Sequence, residues 1–263
     1  ERVHESAVTI RIQVTDSEGR KAEQRKTFFI NRDDTLKPGF PIDLGASGES
    51  SPVLVDMDGD QVLEIVLGTA NGEVMVFDGT GALLAGWPVS IPEMGQHHPT
   101  SASWQAIDEP MPDTIMASVA AADLDGDDSV EVVAATLGGR IYAWNKDGTL
   151  RPGFPYQNLG RTPEEFDDDH TYDQGFVAAP VLADVDGDGA REIIALGMDS
   201  RLYIVDAQGE DWGPYPIEIC HPTWCGVKGF RIIDSPTVGD VDGDGDLDIG
   251  FGTNEATSDG RYS

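Results

Sequence analysis

Four times the chain repeats one acidic loop, and this repetition limits its possible folds more than any other feature. The copies are Asp56-Met-Asp-Gly-Asp60 with Glu64, Asp123-Leu-Asp-Gly-Asp127 with Glu131, Asp184-Val-Asp-Gly-Asp188 with Glu192, and Asp240-Val-Asp-Gly-Asp244 with Asp248. In each, carboxylates stand at relative positions 1, 3, 5 and 9, and glycine stands at position 4. Alternate side chains converge on one point when the backbone curls, and glycine tolerates the positive φ that a sharp curl needs. Such an oxygen set suits calcium, which takes six to eight oxygens at about 2.3–2.6 Å in a flexible shell. Position 7 would add a backbone carbonyl, from Val62, Ser129, Ala190 and Asp246.

Other readings of the loops are weaker. An EF-hand needs glutamate at position 12 and flanking helices. Position 12 is Leu67, Ala134, Ala195 or Phe251 here, and the flanks read as strands. Magnesium prefers a tight, water-rich octahedron, and zinc would want His or Cys close by. A lone Asp-Gly loop could be a solvated turn; four copies with one spacing argue for about four structural calcium ions. Without cations the carboxylates repel, so binding would be coupled to folding. In the second loop Asp128 replaces the usual glycine at position 6, which predicts some strain.

The repeat is wider than the loop. A short apolar segment precedes each loop (51–55, 118–122, 179–183, 235–239), and a second follows it (64–68, 131–135, 192–196, 248–252). Both are rich in β-branched and apolar residues, as strands buried between stacked sheets are. A third, alternating strand is predicted at 73–77, 140–144 and 201–205. Glycine turns follow at Asp78-Gly79, Asp147-Gly148 and Gln208-Gly209. A fourth segment then ends in Gly86-Trp-Pro88, in Gly153-Phe-Pro155, or in a degenerate Pro214-Tyr-Pro216. Serial four-stranded units without helices predict an all-β fold, a β-propeller of four-stranded blades with the last of four repeats incomplete. Inserts near 90–117, 156–177 and 217–234 stretch the loop-to-loop spacing to 67, 61 and 56 residues. Gly39-Phe-Pro41 precedes any loop. It reads either as an outer strand closing the ring or as a linker strand.

Residues 1–32 have another character. Val8-Thr-Ile-Arg-Ile-Gln-Val14 alternates, Asp16-Ser-Glu-Gly19 turns, and Lys26-Thr-Phe-Phe-Ile30 reads as a second strand. This predicts the C-terminal hairpin of an immunoglobulin- or fibronectin-like module, with the propeller segment over 33–263; a degenerate extra blade is the other reading. The chain starts at Glu1 without Met and stops at Ser263 inside a repeat, so an internal piece of a larger polypeptide is expected. The formal net charge of -31, from 48 acidic and 17 basic residues, argues against nucleic acid and anionic membrane as partners. No apolar run is long enough for a membrane-spanning helix. Cys220 and Cys225 share a loop, where either a disulfide or two thiols fit; the oxidising setting that calcium loops suggest favours the disulfide.

Asp184-Val-Asp-Gly-Asp-Gly-Ala-Arg-Glu-Ile-Ile-Ala-Leu-Gly197 resembles the FG-GAP or VCBS repeat, the calcium-binding blade also found in integrin α-subunit propellers. The resemblance spans about residues 34–263. It implies a propeller, often seven-bladed, in secreted or cell-surface proteins. An immunoglobulin-like end followed by Leu36-Lys-Pro-Gly-Phe-Pro41 and then repeats looks like regions attached to large secreted bacterial proteins, some of them subtilisin-type proteases.

No protease motif is present: the chain lacks Gly-x-Ser-x-Gly, His-Glu-x-x-His and any glycine-rich phosphate loop. The less ordinary residues sit in the inserts: His97, His98 and Trp104; Asp167–Asp169, His170 and Tyr172; and Cys220, His221, Trp224 and Cys225. They could line a ligand-binding rim or simply pack as loops. The expected function is a non-catalytic, calcium-stabilised extracellular or cell-surface propeller. It would serve adhesion, binding of a protein or glycan ligand, or scaffolding beside the rest of the parent polypeptide. The alternatives are an accessory region of a secreted protease and a calcium-dependent polysaccharide lyase, although Lys and Arg are scarce for a lyase cleft.

Overall fold

The structure, a computed structural model, describes residues 7–29, 37–48, 50–92, 113–157, 175–219 and 234–252. Their regular secondary structure is all strand. The chain forms two compact units, Glu1–Pro41 and Ile42–Ser263.

In the first unit β1 (Ala7–Thr15) and β2 (Lys21–Phe29) pair antiparallel from end to end, with Ala7 opposite Phe29 and Thr15 opposite Lys21. Asp16 makes the turn. Its N–H donates to the Arg20 carbonyl (3.0 Å), and its Oδ1 accepts the N–H groups of Glu18 and Arg20 (2.9 Å each). The second strand begins five residues earlier than the alternation predicts. Its first half, Lys21-Ala-Glu-Gln-Arg25, carries no apolar period; it is held by its pairing with β1. Val8, Ile10, Ile12 and Val14 form an exposed stripe along one face of β1.

The second unit is built of blades. The first sheet runs β3 (Val53–Val55), β4 (Glu64–Gly68), β5 (Glu73–Phe77), β6 (Val89–Ser90). The next runs β7 (Ala120–Ala122), β8 (Glu131–Ala135), β9 (Arg140–Trp144), β10 (Tyr156–Gln157). The third runs β11 (Val181–Ala183), β12 (Glu192–Leu196), β13 (Arg201–Val205), β14 (Ile217–Glu218). The fourth shows β15 (Thr237–Gly239) and β16 (Asp248–Gly250). Every pairing is antiparallel, so each sheet is a meander. The first strands of successive sheets, β3, β7, β11 and β15, are neighbours. Sheets that adjoin in series through their innermost strands are blades of a β-propeller.

The core lies between blades. Val66, Val74 and Trp87 of the first blade pack with Val119, Val132, Tyr142 and Trp144 of the second. Val133, Ala143 and Phe154 of the second meet Ile193, Tyr203 and Val205 of the third. This explains why β8 and β12 are buried at every residue. Each face of the second and third blades packs against a neighbour, so these strands show no polar alternation.

Two expectations about the outer part of the blade change. The fourth strand follows the Gly-aromatic-Pro signature rather than ending in it. The segment before the signature touches the third strand only through single bridges, Phe77 to Leu83, Trp144 to Leu150 and Val205 to Asp211. The glycine matching Gly148 and Gly209 is Gly81 and not Gly79: the N–H groups of Gly81, Gly148 and Gly209 donate to Asp78, Asn145 and Asp206 in turn. All three take positive φ.

The signature itself joins blades. Leu84 to Trp87 and Arg151 to Phe154 form β-turns closed at 3.1 and 3.2 Å, with Gly86 and Gly153 at φ +92° and +88°. These glycines lie against the next blade's glycine turn, and Trp87 Nε1 donates to the Lys146 carbonyl (3.0 Å). Near the axis Ser118 Oγ accepts the Ser51 N–H (3.0 Å), and Ser235 Oγ accepts that of Ala179 (3.1 Å). Asp113, fully buried, accepts the Thr136 hydroxyl (2.6 Å) and the Gly138 N–H (2.8 Å), fixing the entry to the second blade on its own β8–β9 turn.

A Cβ at residue 153 would stand 1.7 Å from the Gln208 carbonyl oxygen, whereas one at residue 187 meets nothing within 4 Å. Both glycines have positive φ. Gly187→Ala is therefore expected to cost only the left-handed backbone penalty of about 1–2 kcal/mol. Gly153→Ala must also push two blades apart. Denaturant unfolding in a metal chelator should place its midpoint well below that of Gly187→Ala; equal midpoints would contradict this blade contact.

Candidate metal centres

Each acidic loop joins the first strand of a blade to the second, so it lies at one end of the innermost hairpin. Backbone N–H groups shape it by donating to its own carboxylates. The position-1 carboxylate accepts two N–H groups in every copy, and in the second and third loops a third from position 5. Its Oδ1 takes the position-4 glycine N–H, at 2.7 Å for Asp56, 2.8 Å for Asp123, 2.7 Å for Asp184 and 2.6 Å for Asp240. Its Oδ2 takes the position-6 N–H at 2.9–3.1 Å. The position-5 carboxylates of Asp60, Asp127, Asp188 and Asp244 accept the N–H of Val62, Ser129, Ala190 and Asp246 at 2.7–2.9 Å.

The position-4 glycines take φ +84°, +77°, +77° and +81°, as the curl requires. Position 6 is also left-handed in every copy. Gly189 and Gly245 stand there at φ +98°, but Asp128 at +65° and Gln61 at +68° are not glycine. Strain at position 6 is thus shared by the first two loops, not confined to the second.

Position 9 begins the second strand and points back into the loop. Glu64 Oε2 accepts the Met57 N–H (2.8 Å), Glu131 Oε2 that of Leu124 (2.8 Å), Glu192 Oε2 that of Val185 (2.9 Å), and Asp248 Oδ2 that of Val241 (2.9 Å). The three glutamates are buried. Burial is the first cause that raises their carboxyl pKa values above the ordinary range; the neighbouring aspartates push the same way, and the loop N–H bond opposes both.

Oxygens of Asp56, Asp58 and Glu64 lie within 4.8 Å of one another, as do those of Asp184, Asp186 and Glu192, and of Asp240, Asp242 and Asp248. Positions 1, 3 and 9 are therefore brought together in three loops. In the second loop the converging set is Asp123, Asp125 and Asp127, without Glu131. Two unit charges about 4 Å apart repel by roughly 4 kcal/mol at an effective dielectric near 20. Three crowded carboxylates are a demanding arrangement that one divalent cation would relieve. The donor set is all oxygen, with no His or Cys in any cluster, which fits a hard cation and not zinc.

Two arginines at the second loop escape a reading based on carboxylates alone. Arg151 Nη2 donates to Asp125 Oδ2 (2.5 Å), and its Nη1 lies 3.2 Å from Glu131 Oε1. Arg191, at position 8 of the third loop, donates through Nη1 to the Asp123 carbonyl and through its backbone N–H to that of Leu124 (2.8 Å). The available signal was Arg151 at a turn position that holds Leu84 and Trp212 in the other blades. The expectations about Cys220 and Cys225, and about His97, His98, Trp104, Asp167–Asp169, His170, Tyr172, His221 and Trp224, lie outside the described residues.

Residues 184–251 match the family described as FG-GAP-like repeat. They hold the third acidic loop, strands β12 to β14 of the third blade, and the fourth loop with its two strands. No curated protein matches the chain. Among solved structures, BamB from Moraxella catarrhalis is similar at 16% identity and a TM-score of 0.44, over 76% of this chain and 43% of that one. BBS1N in complex with ARL6DN is similar at 12% identity and 0.44, over 86% and 57%. Quinohemoprotein alcohol dehydrogenase from Comamonas testosteroni is similar at 14% identity and 0.38, over 78% and 33%. The chain thus spans roughly half or less of the length of these proteins.

The raised position-9 carboxyl groups give a pH test. An acid whose folded pKa lies above its unfolded value favours the fold below the unfolded pKa, and that contribution is lost as pH rises through the folded pKa. With divalent cations chelated, Glu64 and Glu192 should therefore make the protein lose stability as pH rises from about 4.5. Glu64→Gln with Glu192→Gln should flatten that slope in thermal melts taken across the pH range. An unchanged slope would show that these carboxyls do not titrate with folding.

Proposed function

We propose that the second unit is a non-catalytic, calcium-stabilised propeller segment of a secreted or cell-surface protein, which presents a rigid surface for binding or adhesion. The observation that carries the reading is the convergence of carboxylate oxygens from positions 1, 3 and 9 within 4.8 Å in three blades. A calcium ion there would be held by Asp56, Asp58 and Glu64, by Asp184, Asp186 and Glu192, and by Asp240, Asp242 and Asp248. Position 5 and the carbonyls of Val62, Ala190 and Asp246 would complete each shell. The ion would supply charge neutralisation between the first two strands of a blade and no reaction step.

Several features support the setting. Extracellular calcium modules work at dissociation constants of roughly 10⁻⁴–10⁻³ M, which suits loops whose position-3 and position-5 aspartates are exposed. The net charge of -31 would be partly offset by bound divalent cations. Among the described residues no helix is long and apolar enough to cross a membrane.

Thermal melts with calcium and with a chelator test this reading. Each site held at about 100 times its dissociation constant adds about 2.7 kcal/mol, or roughly 5–10 °C in a domain of this size. Asp186→Asn should abolish one such increment and leave the chelated melting temperature nearly unchanged. A wild-type protein that melts at the same temperature with and without calcium would defeat the proposal.

A further inference from the structure

We infer that the second acidic loop is closed by the chain's own Arg151 guanidinium and takes no calcium, so that cation binding is confined to the loops of the other blades. The inference rests on the calcium reading above and divides the four loops into two kinds.

Arg151 is a buried cation aimed into an acidic loop. Its side chain is 10% exposed, while that of Glu131 is 2% exposed. The guanidinium spans positions 3 and 9, with Nη2 on Asp125 Oδ2 at 2.5 Å and Nη1 at 3.2 Å from Glu131 Oε1. Those two positions are the ones that join Asp56 in the first loop and Asp184 in the third. Glu131 already gives its other oxygen to the Leu124 N–H (2.8 Å), so both of its oxygens are engaged from within the chain. This accounts for the absence of Glu131 from the converging set of the second loop.

The arginine is fixed by its surroundings. Its backbone N–H donates to the Ala143 carbonyl (2.9 Å), and its carbonyl accepts the Phe154 N–H (3.2 Å), closing the Pro152-Gly153 turn. Nη1 also donates to Asn145 Oδ1 (3.2 Å). Asn145 stands where the other blades carry Asp78 and Asp206, and at the position of Arg151 they carry Leu84 and Trp212. Blades one and three thus bring no positive charge from this turn. In the third blade the equivalent contact comes from an uncharged donor, Trp212 Nε1 to Asp186 Oδ2 at 3.4 Å. A divalent ion in the second loop would have to displace a buried ion pair and then sit beside the displaced guanidinium. A like charge held that close opposes binding.

Equilibrium dialysis of the whole chain against calcium, at fixed ionic strength, decides the matter by stoichiometry. Asp186→Asn should lower the bound calcium by one ion per chain. Asp125→Asn should leave it unchanged. Arg151→Leu, which installs the residue of the first blade, should raise it by one. Loss of an ion in Asp125→Asn would overturn the inference while leaving the calcium reading intact. So would a folded Arg151→Leu protein with no added ion. If Arg151→Leu fails to fold, the Asp125→Asn arm still decides. Absence of binding by every form, wild type included, would remove the calcium reading and this inference with it.

Discussion

The structure depends on a buried carboxylate that faces backwards. At position 9 of each loop the first side chain of the second strand accepts the N–H of position 2, across the acidic curl. That bond ties the loop to the hairpin it connects. It also takes a glutamate out of water in three of the four blades, beside aspartates that must be crowded for the curl to form. A buried charge is tolerated only where something pairs with it. A cation in the loop is one solution, and a guanidinium is another. The proposed metal sites and the Arg151 arrangement are thus two answers to one electrostatic problem.

Arg191 ties the third loop to the second, but most of what joins the blades lies outside the loops. Burial on both faces of β8 and β12 supplies the apolar part, and a buried aliphatic side chain is worth about 1.5–3 kcal/mol. Geometry comes from elsewhere. The Gly-aromatic-Pro turns of the first two blades put their glycines against the following blade, where a Cβ would meet backbone oxygen. Ser118 and Ser235 bond neighbouring innermost strands. At the matching site in the third blade Ala179 has no hydroxyl to offer. The repeat is therefore regular in its hydrophobic strands and uneven in its polar joints.

Much of this was legible in the sequence. Second and third strands of the first three blades fall where the apolar runs place them, because a strand buried on both faces must be apolar throughout. Outer strands were less legible. β6, β10 and β14 are two residues long, too short for a periodicity, and the conspicuous signature before them is a turn. The long polar start of β2 was hidden for the opposite reason, since cross-strand pairing alone sustains it. At the candidate sites the aspartates could be read directly, whereas Arg151, Arg191 and Asp113 could not. Their roles depend on which blade edge lies beside which loop, and no spacing rule carries that information.

A crystal structure grown in calcium, with anomalous scattering recorded, tests the central claim most directly. The account predicts an ion in the first and third loops about 2.3–2.6 Å from carboxylate oxygens of positions 1, 3 and 9. It predicts the Arg151 guanidinium, and no ion, in the second. Loops one and three without an ion at saturating calcium would contradict it.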